Sequence, residues 1–119
     1  MVNEVRILVQ GVTKDAEAFG ALMKSEAAAL ETTEPGIMLV EVFVDPASGA
    51  VVVHERYADA DAFLTHSERL MQGERFQRWL ELFEIKRMTF LAPIEDERVA
   101  TVAAQLNALQ VSPVAGFAR

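Results

Sequence analysis

The chain has 119 residues, about half of them apolar, no cysteine, and a net charge of −7. That length suits one domain, which buries roughly two-thirds of its unfolded surface and holds a core without staples. The missing cysteines exclude disulfides, thiolate metal sites and cysteine nucleophiles and fit a reducing cytoplasm, while the acidic balance argues against nucleic acid, whose phosphates need a concentrated basic surface. Arg69, Arg75, Arg78, Lys86 and Arg87 do gather, but Glu68, Glu74, Glu81 and Glu84 are interleaved with them as on an ordinary solvated helix face. No apolar run reaches the roughly 20 residues that span a bilayer. Met1-Val2-Asn3-Glu4-Val5 lacks the basic region and apolar block of a signal peptide. A cytoplasmic chain that binds neither membrane nor nucleic acid is expected.

Val5, Ile7 and Val9 alternate with Glu4, Arg6 and Gln10, the period of a first strand ending at Gly11. Thr13 is placed to cap a helix whose stripe is Phe19, Leu22, Met23, Ala27 and Leu30. Thr32-Thr33-Glu34-Pro35-Gly36 ends it. Apolar runs over 37–44 and 50–57, separated by Asp45-Pro46-Ala47-Ser48-Gly49, read as a β-hairpin. Asp59 caps a second helix with Phe63, Ser67 and Leu70 inward. After a break near Gly73, Phe76, Trp79, Leu80 and Phe83 repeat at helical spacing. A fourth strand is predicted over 85–91.

The order β-α-β-β-α-β predicts an α+β fold, a ferredoxin-like antiparallel sheet with helices on one face. Residues 1–92 are assigned to that domain. Residues 93–119 add a helix carrying Val99, Val102, Ala103, Leu106 and Leu109, then a tail docked on its own subunit or on a partner, because Val114 and Phe117 are wasted in solvent. The middle strands are apolar on both sides, so a second copy is expected to cover the bare face of the sheet, giving a homodimer.

Pairing Val44 with Val51 puts Leu39, Glu41, Phe43, Val52, His54 and Arg56 on one face, and Met38, Val40, Val42, Val51, Val53, Glu55 and Tyr57 on the other. Glu41 then faces His54 and lies diagonal to Arg56, a set read as a polar network at the dimer interface. On the helix side, Glu55, Tyr57, Phe63, His66 and Trp79 outline a candidate pocket for a flat aromatic ligand. There His66 would take a proton from a phenolic hydroxyl, with Tyr57 beside it. A packed core in which His66 merely hydrogen-bonds and Trp79 is the largest residue reads equally well. No zinc spacing, nucleophile elbow, phosphate loop or dinucleotide fingerprint is present, so no metal or cofactor is expected.

The segment His54-Glu55-Arg56-Tyr57-Ala58-Asp59, with Ala62-Phe63 and His66 following, resembles the antibiotic biosynthesis monooxygenase family. Glu34-Pro35-Gly36-Ile37 before the second strand is similar to that family's Pro-Gly turn. The resemblance covers roughly residues 2–92. It implies a dimeric α+β barrel with a pocket between sheet and helices in each subunit. It also implies kinship with oxygenases that act on quinols and polyphenols without metal or flavin. Anthrone-oxidising members use a first-strand asparagine and a tryptophan at the end of the third strand. Here Asn3 and Tyr57 stand nearest to those places. The expected function is a cofactor-independent monooxygenase of a small phenolic or quinol-type substrate. The alternative is a non-catalytic homodimer that binds a small apolar ligand or another protein.

Overall fold

The computed structural model describes residues 4–119. Asn3 lies outside the described residues. The elements are β1 (Val5–Val12), α1 (Ala16–Thr33), β2 (Ile37–Val44), β3 (Ala50–Tyr57), α2 (Ala60–Gln72), α3 (Glu74–Leu82), β4 (Glu84–Phe90), α4 (Glu97–Gln105) and β5 (Leu109–Gln110). The five strands form one sheet in the order β2-β3-β1-β4-β5. Every pairing is antiparallel except that of β5 with β4. This is the ferredoxin-like plan expected from the order of apolar periods, with a further edge strand.

The core forms where the inward side of the sheet meets the helices. Ile7, Val9, Val51, Val53, Tyr57 and Phe90 come from strands; Phe19, Met23, Phe63 and Val99 come from helices. Each large side chain so buried contributes about 1.5–3 kcal/mol relative to exposure. Among the described residues no helix packs on the other side of the sheet. Its rows run Thr89, Leu8, His54 and Glu41, then Arg87, Gln10, Val52 and Phe43.

Local chemistry moves several expected boundaries. Asp15, not Thr13, caps α1: its carboxylate accepts from the Ala18 N–H at 3.0 Å, while the Thr13 hydroxyl accepts from the Asp15 N–H at 3.1 Å. A β-bulge between Ile37 and Leu39 reverses one step of alternation, so Ile37 packs inward and Met38 is exposed, against the face predicted for Met38. α4 stops at Gln105, because Asn107 adopts φ 53° and the Ala108 N–H returns to the Ala103 carbonyl at 3.0 Å. Leu109 therefore enters β5 instead of continuing a helical stripe. Beyond it Val114 and Phe117 are 96% and 82% exposed, so the tail does not dock on its own subunit.

The β2–β3 turn is held from within. The Asp45 carboxylate accepts from the Ala47 N–H at 3.0 Å and the Ser48 hydroxyl at 2.8 Å, and Gly49 takes φ 78°. The Gly49 carbonyl receives the Thr13 N–H at 2.8 Å, and a Cβ at Gly49 would strike the Thr13 carbonyl oxygen. Gly49→Ala is expected to cost about 1–3 kcal/mol, read as a lower urea midpoint at unchanged m-value.

Candidate functional site

The Pro35-Gly36 turn and the start of α2 build the site. β2 begins opposite the end of β3, with Ile37 paired to Tyr57 and the Ala58 N–H donating to the Gly36 carbonyl at 2.8 Å. A Cβ at Gly36 would come within 2.6 Å of the Ala62 Cβ, so only glycine lets the turn lie this close to α2. That approach carries Glu34, the C-cap of α1, to His66. The His66 Nδ1 and a Glu34 carboxylate oxygen are 3.4 Å apart, with side chains 12% and 9% exposed.

On the other side of His66 lies Tyr57, their ring centroids 5.8 Å apart. The Tyr57 hydroxyl donates to the Glu55 carboxylate at 2.7 Å. Thus Glu34, His66, Tyr57 and Glu55 form one polar group in an otherwise apolar interior. A carboxylate only accepts, so in the Glu34 contact Nδ1 is the donor and Nε2 points away from Glu34.

Burial raises the Glu55 carboxyl above its ordinary value, against the opposing effects of the Tyr57 hydrogen bond and the charges of His66 and His54. Burial, then the neighbouring Glu55 charge, holds the Tyr57 phenol well above its usual value, so at neutral pH Tyr57 is a donor. The raised Glu55 fixes a sign. Its stabilising contribution is full below the ordinary carboxylate range and is lost as pH rises through the raised folded-state value. Glu55→Gln is therefore expected to match the wild type in acid and to surpass it progressively as pH rises above the ordinary carboxylate range. Thermal melts across that range check this, and a difference that stays flat with pH contradicts it. The lowered carboxyls of Glu4, Asp45, Glu84 and Asp96 act with the opposite sign but are common to both proteins.

The expected site residues separate into groups. Phe63 packs edge-on to Tyr57 at 5.4 Å and to Phe90 at 5.7 Å, beside the polar group. Trp79 instead stacks on Phe76 at 6.2 Å and meets Phe83 edge-on at 5.1 Å; no ring pair among the described residues joins it to Tyr57 or His66. On the opposite face Glu41 sits across from His54, 3.6 Å from its Nδ1. Arg56 binds Glu4 at 2.7 Å and not Glu41, because β1 brings Glu4 alongside the end of β3. The His54 Nε2 and Arg56 Nε are buried without a hydrogen-bond partner among the described residues.

Two clefts open near these groups. The larger, about 390 Å³, lies between the start of β1 and the N-termini of α2 and α4. Most of its charges are committed, Glu4 to Arg56, Asp61 and Asp96 to Arg98, and Asp59 to the cap of α2, while Arg6 and Glu95 also line it. The smaller, about 200 Å³, is walled by Glu34, Gly36, Thr65 and Arg69 and so borders the acid–base group. Among the described residues no cluster of His, Asp and Glu forms a metal-binding group, and no helix is long and apolar enough to cross a membrane.

No curated protein matches this sequence. Among solved structures, MupZ from Pseudomonas fluorescens superposes with a TM-score of 0.76 at 18% identity, covering 100% of this chain and 91% of that one. Rv0793 from Mycobacterium tuberculosis gives 0.58 at 19% identity, over 79% of this chain and 98% of that one. SnoaB from Streptomyces nogalater, a cofactor-independent oxygenase, gives 0.58 at 15% identity, over 79% and 96%. At such identities the likeness is one of fold. The sequence pattern of a family decides more: by its match over residues 5–82, the chain belongs to the antibiotic biosynthesis monooxygenase family.

Proposed function

We propose that this chain is a cofactor-independent monooxygenase of a small phenol or quinol, bound between the sheet and the helices. The observation that carries the reading is the imidazole of His66, held between Glu34 and the Tyr57–Glu55 pair in an apolar interior. Glu34 fixes the ring so that Nε2 is the free base, and Nε2 takes the phenolic proton. The electron-rich anion then reduces oxygen directly. One oxygen atom bonds to a ring carbon ortho or para to the phenolate, and the other leaves as water with that carbon's hydrogen and the phenolic proton. Phenol plus oxygen thus gives quinone plus water. Tyr57, its hydroxyl held by Glu55 and Phe63 packed edge-on against it, would back the His66 ring from the core side; Trp79 would act only at a distance, through Phe83.

Oxygen uptake with a panel of quinols tests the proposal. A product that has gained one oxygen and lost two hydrogens is expected, and uptake no faster than autoxidation with every quinol overturns it. A non-catalytic homodimer that binds a small ligand is the second reading, favoured by Tyr57, which is 1% exposed and leaves no face open to a substrate in the free chain. It predicts thermal stabilisation by a quinol without product.

The reading includes a homodimer, the form usual in this family. A second copy would cover the bare face of the sheet and offer hydrogen-bond partners to the His54 Nε2 and the Arg56 Nε. The exposed tail bearing Val114 and Phe117 would lie along that partner.

A further inference from the structure

We infer that the tail of each copy joins the β2 edge of the other as an added antiparallel strand, with Phe117 beside the partner's Phe43 and Arg119 beside the partner's Glu41. The inference rests on the homodimer reading and goes beyond it in naming the edge, the direction and the register of the exchange.

Both edges of the sheet are open. In the order β2-β3-β1-β4-β5, the strands β2 and β5 each have a single neighbour. β2 is eight residues long and carries neither the lysine nor the proline that often blunts an edge. Its bulge lies between Ile37 and Leu39, so the stretch 39–44 is regular. β5 is only two residues long. The Val111 N–H still donates to the Phe90 carbonyl at 3.0 Å, but among the described residues 112–119 make no backbone hydrogen bond. An unused edge and an unpaired segment thus occur in one chain.

Symmetry decides whether they meet. Two identical sheets stacked by their bare faces are related by a two-fold axis that runs mainly along the strands or mainly across them. An axis across the strands sets β2 over β2 and leaves both tails without an edge. An axis along the strands sets each β5 over the partner's β2. It also preserves strand direction, and β5, being parallel to β4, runs opposite to β2. The tail therefore reaches the partner's β2 in the antiparallel sense. Packed sheets lie about 10 Å apart. Residues 112–114 span that gap at about 3.3–3.6 Å each, which leaves 115–119 to pair.

Side chains then set the register. Phe117 and Arg119 are two residues apart and share one face of an extended chain, as Phe43 and Glu41 do on the bare face of β2. With the strands antiparallel, Phe117 opposite Phe43 puts Arg119 opposite Glu41, so ring meets ring and cation meets anion. A slide of two residues in either direction breaks both matches. Phe43 and Phe117 are exposed in the single chain, and the Glu41 side chain is half-exposed. The Arg119 guanidinium lies 5.1 Å from the Phe117 ring centroid and, among the described residues, meets no carboxylate.

The chain has no cysteine, so an introduced pair is a clean probe. Phe43→Cys combined with Phe117→Cys is expected to give a disulfide-linked dimer under mild oxidation. Residues opposite one another in antiparallel strands hold their Cα atoms about 4.5–5.5 Å apart, within disulfide reach. Peptide mapping should find the 43–117 link between copies, and neither single variant should cross-link. A second probe leaves Phe43 in place. Glu41→Arg should raise the dissociation constant about tenfold, since a symmetric dimer holds the contact twice, and adding Arg119→Glu should restore it. A dimer in sedimentation velocity that forms no 43–117 link, a 43–43 link in the single variant, or a charge reversal without rescue overturns the exchange and leaves the homodimer standing. A chain that sediments as a monomer at every concentration defeats the homodimer and the exchange with it.

Discussion

His66→Ala is expected to lower the initial rate of quinol-dependent oxygen uptake by about 10²–10⁴-fold, the range that a positioned general base contributes. Deprotonation is the step that makes the ring electron-rich enough to reduce oxygen, so removing the base acts on kcat more than on KM. The alanine variant also leaves Glu34 largely buried beside a void, at a cost of about 1–3 kcal/mol. A fall in rate could then report weakened structure. His66→Gln separates the two effects, because an amide can still donate to Glu34 but cannot take a proton at neutral pH. It should show the same loss of rate with Tm close to wild type. Glu34→Gln should lose less, about tenfold, since Glu34 acts by orienting the ring. It should also shift the pH profile of the reaction, which a merely structural role would not. Wild-type turnover in both His66 variants removes His66 from the mechanism.

The fold was largely legible because each element repeats its apolar residues at a distinct period. Ile7 and Val9 alternate, and Phe19, Met23 and Leu30 return at helical spacing; all are buried in the core. The hairpin register was legible too, because Pro46 and Gly49 mark the turn and pairing Val44 with Val51 follows from it. What escaped depends on single backbone angles. The bulge that exposes Met38 and the left-handed Asn107 that admits β5 leave no periodic trace. For the site, alternation alone brought Glu55 and Tyr57 to the helix side, and the inner flank of α2 brought His66 there. Glu34 was read only as part of a turn. A signal for it was present: the same register sets the start of β2 against the end of β3, so a carboxylate just before Pro35-Gly36 must lie close to the start of α2. Trp79 shows the converse limit. Its inward spacing on α3 was correct, but periodicity does not say which part of the core a stripe meets, and here it meets Phe83.

Phe43→Asp is expected to convert the proposed homodimer into a monomer, raising its dissociation constant at least about 30-fold, the equivalent of a residue contributing about 2 kcal/mol or more to an interface. Phe43 stands on the bare face of the sheet, opposite Val52 and 54% exposed in the single chain. A charge placed there costs the single chain little, because the position is already open to water. Between two stacked sheets the same carboxylate would be desolvated beside its symmetry mate, and like charges in a dry interface repel strongly. The rest of the face is suited to burial only in part. Leu8, Leu39 and Val52 are apolar, but His54 and Arg56 each bring a buried nitrogen without a hydrogen-bond partner, which a partner sheet would supply. The tail adds a second, weaker contribution. It leaves β5 along the edge of the same sheet, contains no carboxylate side chain to be repelled by an acidic partner, and presents Phe117 and Val114. Phe117→Ser should therefore loosen the dimer without abolishing it. Sedimentation velocity over a dilution series distinguishes the outcomes. A wild-type monomer at every concentration defeats the dimer, whereas a dimer that Phe43→Asp leaves intact means that the copies meet through some surface other than this face.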